Sequence, residues 1–246
     1  MNIFPDTVEI ITNFIKSRVA DAESEGVVLG LSGGLDSAAT LSLVVSALGS
    51  EKVTGLIMPF HVTESVDFAN NHAKSLGVNT VTININDIVS SYKKSSDLYS
   101  EKLSEGNLHS RIRMSLLYGY GFSSNRLVVG TSNKSELLIG YYTKWGDGGT
   151  DFLPIGDLYK SQIFKLGESL EIPSEILTRK PTAELWPEQT DEADLGFSYS
   201  ELDKVLFELE RFSAVDKISN KTGISIKEIA KIQGLISSSI HKRVFP

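Results

Sequence analysis

The segment that most constrains the fold is residues 27–37, where an apolar stretch runs into a glycine turn and then into a helix. Val27, Val28 and Leu29 are apolar and mostly β-branched, which is typical of a buried strand. The residues that follow are Gly30, Leu31, Ser32, Gly33, Gly34, Leu35, Asp36 and Ser37. Such a turn presents free backbone N–H groups and the positive end of the helix dipole to an anion. The segment therefore predicts a phosphate site.

The residues of this turn exclude two familiar phosphate loops. A Walker loop ends in Gly-Lys-Ser or Gly-Lys-Thr, whereas this turn ends in Leu35-Asp36-Ser37. A dinucleotide fingerprint requires glycines where Ser32 and Leu35 stand. Asp36 would repel a phosphate unless a divalent cation lay between them. The turn therefore predicts Mg²⁺ bound together with a nucleotide.

The order Ser-Gly-Gly-x-Asp-Ser at 32–37 resembles the pyrophosphate-binding loop of the ATP pyrophosphatase superfamily. The resemblance implies cleavage of ATP between the α and β phosphates and adenylation of a substrate. An ordinary glycine-rich turn is the alternative interpretation. The motif alone does not indicate which member of the superfamily the chain resembles.

Composition narrows the class of protein. A chain of 246 residues is expected to form one domain, spanning 1–246, with a substantial core. The net charge of −7 argues against a broad nucleic-acid-binding face. The chain contains no cysteine, which excludes disulfides, thiolate metal sites and a cysteine nucleophile. No signal peptide or transmembrane run is evident, so we expect a cytoplasmic protein without a membrane partner.

The hydrophobic periodicity predicts alternating strands and helices. Strands are predicted over 27–32, 53–58, 79–85 and 126–130, and helices over 6–22, 36–48, 63–76, 157–170, 199–211 and 225–239. This rhythm indicates the α/β class, with a doubly wound, Rossmann-like parallel sheet and helices on both faces. Ligands bind beyond the carboxyl ends of such strands, where 32–37 lies. Helix 6–22 packs either on the core or on a partner chain.

Other local signals give more specific expectations. Residues 95–106 are polar and predict a loop, Asn107 is a predicted N-cap, and Asp157 is the predicted start of helix 157–170. Residues 178–197 are irregular, and we expect them to form an active-site cover.

A second strand-to-helix turn, after strand 126–130, carries Thr131 and Glu136. If the two strands are neighbours, Asp36 and Glu136 can hold one Mg²⁺ with ATP oxygens. A first-turn acid that stabilises its own helix is the alternative for Glu136. Lys160 near a helix start opposes the dipole, which a nearby anion would explain, and a solvated side chain is the alternative for this residue.

Two further segments carry candidate ligand contacts. Arg111 and Arg113 are two residues apart and cannot share a helix face, so one can reach a ligand while the other holds structure. Residues 141–154 are rich in glycine, aromatic and charged residues, among them Lys144 and Asp151. Such a segment is costly to order unless it binds something.

Taken together, several blocks are similar to those of the NAD synthetase family. They are Ser-Gly-Gly-x-Asp-Ser at 32–37, Asn107-x-x-x-Arg111-x-Arg113-Met114, Gly130-Thr131-x-x-x-Ser135-Glu136, Thr143-Lys144-Trp145-Gly146-Asp147-Gly148-Gly149, Lys180-Pro181-Thr182-Ala183-Glu184-Leu185, Gln189-Thr190-Asp191-Glu192 and His241-Lys242-Arg243. The blocks span nearly the whole chain, and their joint order is very specific.

The resemblance implies ATP-dependent amidation of deamido-NAD to NAD, with ammonia as nitrogen source and release of AMP and pyrophosphate. It implies that Gly30 through Ser37 hold the ATP phosphates and that Asp36 and Glu136 bind Mg²⁺. The implied contacts to ATP are Thr131, Lys160 and Thr182, and those to deamido-NAD are Arg111, Lys144, Asp151, His241 and Lys242. It also implies a homodimer, with the dinucleotide bound across the interface.

We assign catalytic roles to Lys160 and Asp151: Lys160 stabilises phosphate charge, and Asp151 accepts a proton from ammonium. Glutamine-using relatives carry an amidohydrolase domain with a cysteine nucleophile, and this chain has no cysteine. We therefore expect free ammonia, or ammonia from a separate glutaminase.

Three other functions are compatible with parts of the sequence. The ATP pyrophosphatase subunit of GMP synthetase would use xanthylate, and the block from Thr143 to Gly149 argues against it. A nucleotide-binding module without chemistry is disfavoured by Asp36 together with Glu136. Sulfur transfer to tRNA is disfavoured by the acidic charge and the missing cysteine.

Overall fold

The computed structural model describes residues 2–61, 63–182 and 189–244. Its strands are β1 (Gly26–Gly30), β2 (Val53–Ile57), β3 (Asn79–Thr82) and β4 (Arg126–Val129). Its helices are α1 (Thr7–Asp21), α2 (Leu35–Leu48), α3 (Glu64–Ser75), α4 (Asn86–Ser95), α5 (Lys102–Ser123), α6 (Lys134–Ile139), α7 (Lys160–Ser169), α8 (Ser174–Leu177), α9 (Asp191–Leu195), α10 (Tyr199–Glu210), α11 (Val215–Thr222), α12 (Ile226–Ser238) and α13 (Ile240–Arg243).

The strands form a parallel sheet in the order β3-β2-β1-β4. The chain moves outward from β1 through β2 to β3, and then returns to place β4 on the other side of β1. The strand order therefore reverses between β1 and β4. A crevice opens at such a reversal, beyond the carboxyl ends of the strands. The predicted doubly wound α/β fold is confirmed.

Alternation along β1 divides the core between the two faces of the sheet. Val27 and Leu29 belong to the cluster beneath α1, α2, α3 and α7, whereas Val28 belongs to the cluster beneath α4 and α5. A third apolar cluster lies among α6, α9, α10, α11 and α12. This cluster supports the side of the crevice that follows β4.

Most predicted elements are confirmed within a few residues, but four local predictions are wrong, the first being the loop over 95–106, whose last residues are helical. Asn107 is not an N-cap, because α5 begins at Lys102 within the predicted loop, and the Asn107 side chain accepts a hydrogen bond from Thr143. Helix α7 begins at Lys160 rather than at Asp157. Thr190 caps the short helix α9 inside the segment predicted to be irregular. Residues 183–188 of that predicted cover lie outside the described residues.

None of the helices in the described part of the chain combines the length and apolar character of a membrane span.

Candidate active site

The predicted phosphate loop connects β1 to α2. The Ser32 hydroxyl accepts a hydrogen bond from the Gly34 N–H at 3.2 Å, and the Ser37 hydroxyl donates to the Gly34 carbonyl at 2.9 Å. Gly33 has a φ of +78°, a left-handed conformation that glycine adopts at little cost. Because Gly34 is the N-cap of α2, the loop leads directly into the unpaired N–H groups of the first helical turn.

Two carboxylates and one ammonium group meet beside this loop. Asp36 lies in the first turn of α2 and Glu136 in that of α6, at the carboxyl ends of the adjacent strands β1 and β4. The Lys160 ammonium forms an ion pair with Asp36 and lies 4.0 Å from a carboxylate oxygen of Glu136. The side-chain amide of Asn133 donates to Asp36 at 3.4 Å. The pairing of β1 with β4 thus brings Asp36 and Glu136 together, and the start of α7 adds Lys160.

Burial makes the charges of this cluster strongly interdependent. Burial, followed by the negative charge of Asp36, raises the pKa of Glu136 well above its usual range. Burial lowers the pKa of Lys160, but the Asp36 and Glu136 carboxylates raise it more, so that it lies above the ordinary lysine value. Lys160 therefore stays cationic, and it offsets part of the repulsion between the two acids.

A group of polar side chains for which the sequence predicts no role lies beside Lys160. The Tyr199 ring lies 5.3 Å from the Lys160 ammonium, and the Tyr199 hydroxyl donates to Asp191 at 3.1 Å. Tyr141 donates to Asp194 at 2.9 Å. Asp191 belongs to a recognised motif block, but no local signal connects Tyr199, at the start of a later helix, with the phosphate loop.

The glycine-rich segment 141–154 is held against α5. Ser110 donates to Asp147 at 2.6 Å and accepts from the Asp147 N–H at 2.9 Å. The Asp147 carboxylate also accepts from the Thr143 N–H at 2.9 Å, and Thr143 donates to Asn107 at 2.7 Å. The segment is therefore anchored by side chains on one face of α5.

The predicted dinucleotide contacts gather beside this segment. Arg111 donates to the Lys144 carbonyl at 3.3 Å, and the Lys144 ammonium donates to the His241 carbonyl at 2.6 Å. The Lys242 ammonium donates to the Gly140 and Tyr142 carbonyls at 2.6 and 2.7 Å. Burial lowers the pKa of Lys242; the Asp147 carboxylate opposes this effect, and the charge of Arg111 adds a smaller lowering. Segments about 100 residues apart thus form one basic group.

Asp151 lies at the exposed edge of the sheet, away from the Asp36–Glu136–Lys160 cluster. Its carboxylate accepts hydrogen bonds from the Val128 N–H at 2.7 Å and from the Tyr118 hydroxyl at 3.0 Å. Burial and Asp151 itself raise the pKa of Tyr118 to about 12, so Tyr118 remains a donor at neutral pH.

A cavity of about 1260 Å³ extends from the phosphate loop past Lys160 to Lys242. The predicted site residues that line it are Gly30, Leu31, Ser32, Gly34, Leu35, Asp36, Ser37, Thr131, Glu136, Lys160, Thr182 and Lys242. Lys144 and Lys242 line a smaller adjoining cavity of about 220 Å³. Neither lining includes Gly33, Arg111, Asp151 or His241.

Comparison with known proteins matches the family model described as NAD synthase to residues 7–246. The NH(3)-dependent NAD(+) synthetase of Archaeoglobus fulgidus is 48% identical over 99% of this chain and 96% of that protein. The structure of NMN synthetase from Francisella tularensis has a TM-score of 0.87 and 33% identity, over 98% and 96% of the two chains. The NH3-dependent NAD synthetase from Campylobacter jejuni, solved with nitrate, has a TM-score of 0.84 and 35% identity over the same shares.

Proposed function

Because the chain belongs to the NAD synthase family, we propose that it is an ammonia-dependent ligase that converts deamido-NAD to NAD with ATP. The observation that carries this proposal is the meeting of Asp36, Glu136 and Lys160 beside the phosphate loop. A partly buried pair of acids and a lysine at a phosphate loop suits the transfer of an adenylyl group from ATP, in which negative charge develops on the leaving pyrophosphate. The match to residues 7–246 supports the prediction of a single domain.

The first half of the reaction activates a poor electrophile. A carboxylate oxygen of the nicotinate attacks the α phosphorus of ATP, giving an acyl-adenylate and pyrophosphate. The loop from Gly30 to Ser37 holds the phosphates with backbone N–H groups, and Thr131 and Thr182 line the same cavity. The Lys160 ammonium stabilises the negative charge that develops as pyrophosphate leaves.

Asp36 and Glu136 would hold Mg²⁺ in this site. Their fit to a cation rests on two observations: within the described residues the buried Oδ1 of Asp36 has no hydrogen-bond partner, and Glu136 is buried against a like charge. The described residues contain no group of three or more ligands that could hold a metal ion by themselves. ATP oxygens and water would therefore complete the coordination, and the ion would neutralise phosphate charge.

In the second half, ammonia attacks the activated carbonyl and AMP leaves. Ammonium must first lose a proton, and we assign Asp151 as the acceptor as well as a deamido-NAD contact. The family resemblance supports this assignment, together with the exposed position of Asp151 directly after Thr150, which lines the smaller cavity with Lys144 and Lys242. Arg111, Lys144, His241 and Lys242 bind the dinucleotide.

We propose a homodimer in which the dinucleotide lies across the interface. Exposed aromatic side chains flank the β4 edge: Phe14 of α1 packs on Phe152 at 5.8 Å, and Tyr118 and Phe122 project from α5. Apolar groups of this kind mark association surfaces. Arg111 and Asp151 lie outside the cavity lining, which suits residues that serve a site shared between subunits. The cytoplasmic location stays a prediction.

Product analysis tests the reaction. The protein is incubated with Mg-ATP and deamido-NAD, with either ammonium chloride or glutamine. We expect NAD, AMP and pyrophosphate in equal amounts with ammonium, and none with glutamine. Release of pyrophosphate without NAD would support adenylation but would refute deamido-NAD as the substrate that is amidated. ATP binding without turnover would instead favour a binding module.

Nicotinic acid mononucleotide is the alternative substrate, favoured by the similarity to a structure described as NMN synthetase. The same assay separates the two, because the mononucleotide lacks the AMP half of deamido-NAD. A higher kcat/KM for the mononucleotide would assign that substrate instead.

A further inference from the structure

Asp203 is a buried acid on α10 that has no part in the site described above. It is 1% exposed. One carboxylate oxygen accepts a hydrogen bond from the Ser135 hydroxyl at 2.5 Å, and the other accepts from the Ser161 backbone N–H at 2.8 Å. A buried charge is costly unless it is hydrogen-bonded. These two bonds therefore fix where α10 meets α6 and α7.

Ser135 extends this connection to the backbone of Lys160. Its hydroxyl oxygen accepts from the Lys160 N–H at 2.9 Å, while its proton is donated to Asp203. Asp203 and Ser135 together thus bind the first two N–H groups of α7, which have no acceptor within the helix. Tyr159, the N-cap residue, directs its hydroxyl to Glu210 instead. A carboxylate at this end of α7 also interacts favourably with the helix dipole.

The hydrogen bonds of Asp203 and Ser135 are linked to both Glu136 and Lys160. Ser135 directly precedes Glu136, and Lys160 is the first residue of α7. Tyr199, one helical turn before Asp203, places its ring 5.3 Å from the Lys160 ammonium. Residues four apart share a helix face, so one face of α10 contacts the ammonium of Lys160 directly and its backbone through Ser135.

We propose that Asp203 is a positioning residue for adenylation: through Ser135 it holds the starts of α6 and α7, so that Glu136 and Lys160 meet Asp36 beside the phosphate loop. This role rests on the proposed function, because it concerns transfer of AMP to the substrate carboxylate. Asp203 acts through Lys160 and Glu136 and touches no substrate. An asparagine would keep the shape but would replace one acceptor oxygen with an NH₂ donor.

The first experiment compares three variants by pyrophosphate release. In Asp203→Asn we expect kcat to fall about 100-fold, because an error of about 1 Å in a catalytic group has that effect. Ser135→Ala should lower kcat in the same direction. Both should leave the KM for deamido-NAD near the wild-type value. Glu208→Gln is the matched control, since Glu208 is a buried acid of the same helix that bonds to Ser213 and Lys221, and its kcat should not change.

The second experiment tests whether Asp203 acts through Lys160. In a Lys160→Ala background, Asp203→Asn should lower the residual rate less than it does in the wild type, since Lys160, one of the two groups that it positions, is gone. A role in stability alone would lower the folded fraction equally in both backgrounds. Wild-type kcat in folded Asp203→Asn, or equal losses in both backgrounds, would overturn the proposal. If Asp203→Asn does not fold, Ser135→Ala decides by the same comparison.

Calorimetry with Mg-ATP separates this proposal from the proposed function. If the wild type forms no NAD, the proposed function fails, but the position of Lys160 still governs nucleotide binding. We then expect Mg-ATP to bind about ten-fold more weakly to Asp203→Asn, the loss of one charged hydrogen bond, and with unchanged affinity to Glu208→Gln. Equal affinity in all three proteins would refute the role of Asp203 whatever the substrate.

Discussion

Gly33 lies so close to Ser65 that no side chain fits between them: a Cβ at position 33 would be 2.2 Å from the Ser65 backbone oxygen. The φ of +78° at Gly33 adds a second restriction, because residues with a Cβ rarely adopt this conformation. Gly34 differs in both respects. Its φ is −90°, and its added Cβ would meet only the Ser32 hydroxyl, at 3.4 Å.

Gly33→Ala is therefore expected to destabilise the protein by about 2–3 kcal/mol or more, from backbone strain combined with the clash. Gly34→Ala should change the free energy of unfolding by less than about 1 kcal/mol, yet weaken Mg-ATP binding because its methyl group enters the phosphate loop. Urea unfolding and calorimetry measure the two effects separately. Equal stability of the two variants would contradict this explanation of the loop.

Asp36→Asn and Glu136→Gln are each expected to abolish pyrophosphate release while the fold persists. Each removes one of the two protein carboxylates assigned to Mg²⁺, and the described residues provide no larger cluster of ligands. Loss of a carboxylate in such a site costs several kcal/mol of transition-state stabilisation, or about 10³-fold or more in rate. Pyrophosphate release is measured at saturating Mg-ATP, and circular dichroism monitors the fold.

Glu168→Gln is the control for this pair, because Glu168 is an exposed acid at the far end of the helix that begins with Lys160. Its rate should equal that of the wild type. Near-normal pyrophosphate release from either Asp36→Asn or Glu136→Gln would refute the metal assignment.

Substitution of Arg111 should weaken substrate binding, whereas substitution of Arg113 should lower stability. The Arg113 guanidinium donates to the Met58 carbonyl at 2.9 Å from a partly buried position, whereas exposed Arg111 lies beside Lys144. We expect Arg111→Ala to raise the KM for deamido-NAD about 10-fold or more with little loss of stability. Arg113→Ala should instead lower the free energy of unfolding by about 1–3 kcal/mol. Steady-state kinetics and urea unfolding of both variants check this, and the reverse pattern would exchange the two roles.

The central part of the site could be predicted from the sequence because it depends on local patterns. An apolar strand followed by a glycine turn locates the phosphate loop, and parallel strands bring their carboxyl ends to one edge. Whether Asp36 and Glu136 would meet depended on the strands being neighbours, and the pairing of β1 with β4 confirms that they are. The contrasting environments of Arg111 and Arg113 also follow from their spacing.

The remaining contacts depend on tertiary structure that no local pattern encodes. Asn107 is of a residue type that caps helices, but its side chain accepts a hydrogen bond from Thr143, and α5 begins at Lys102. Tyr199 and Asp203 reach the site only because α10 packs on α6 and α7. The available signal was an acid at 203 on the buried face of α10 beside Leu202, and a buried acid requires partners.

His109 should make the protein acid-sensitive. It is 2% exposed and packs on the Phe60 ring at 4.3 Å. Burial, and then the charge of Arg113, lower its pKa from 6.5 to about 4. As the pH falls from about 6.5 to 4, the unfolded chain takes up a proton on this ring and the folded chain does not, so the free energy of unfolding falls.

His109→Gln should therefore lose about 3 kcal/mol less stability than the wild type between pH 7 and pH 4. Urea unfolding of both proteins across this range measures the difference. If both proteins lose stability in parallel, the ring of His109 is not held neutral by the fold.

The proposed dimer can be broken at Phe122, which is 94% exposed on α5 beside the β4 edge. Phe122→Glu places charges in an interface that would desolvate them, at a cost of several kcal/mol, so we expect a monomer by sedimentation velocity and a large loss of NAD formation. The activity should fall because Arg111, Asp151 and His241 lie outside the cavity lining of one chain. Phe212→Glu is the matched control, since Phe212 is 96% exposed beyond the end of α10 and should leave both properties unchanged. A wild-type monomer with full activity would refute the shared site, and a dimeric, fully active Phe122→Glu would place the interface elsewhere.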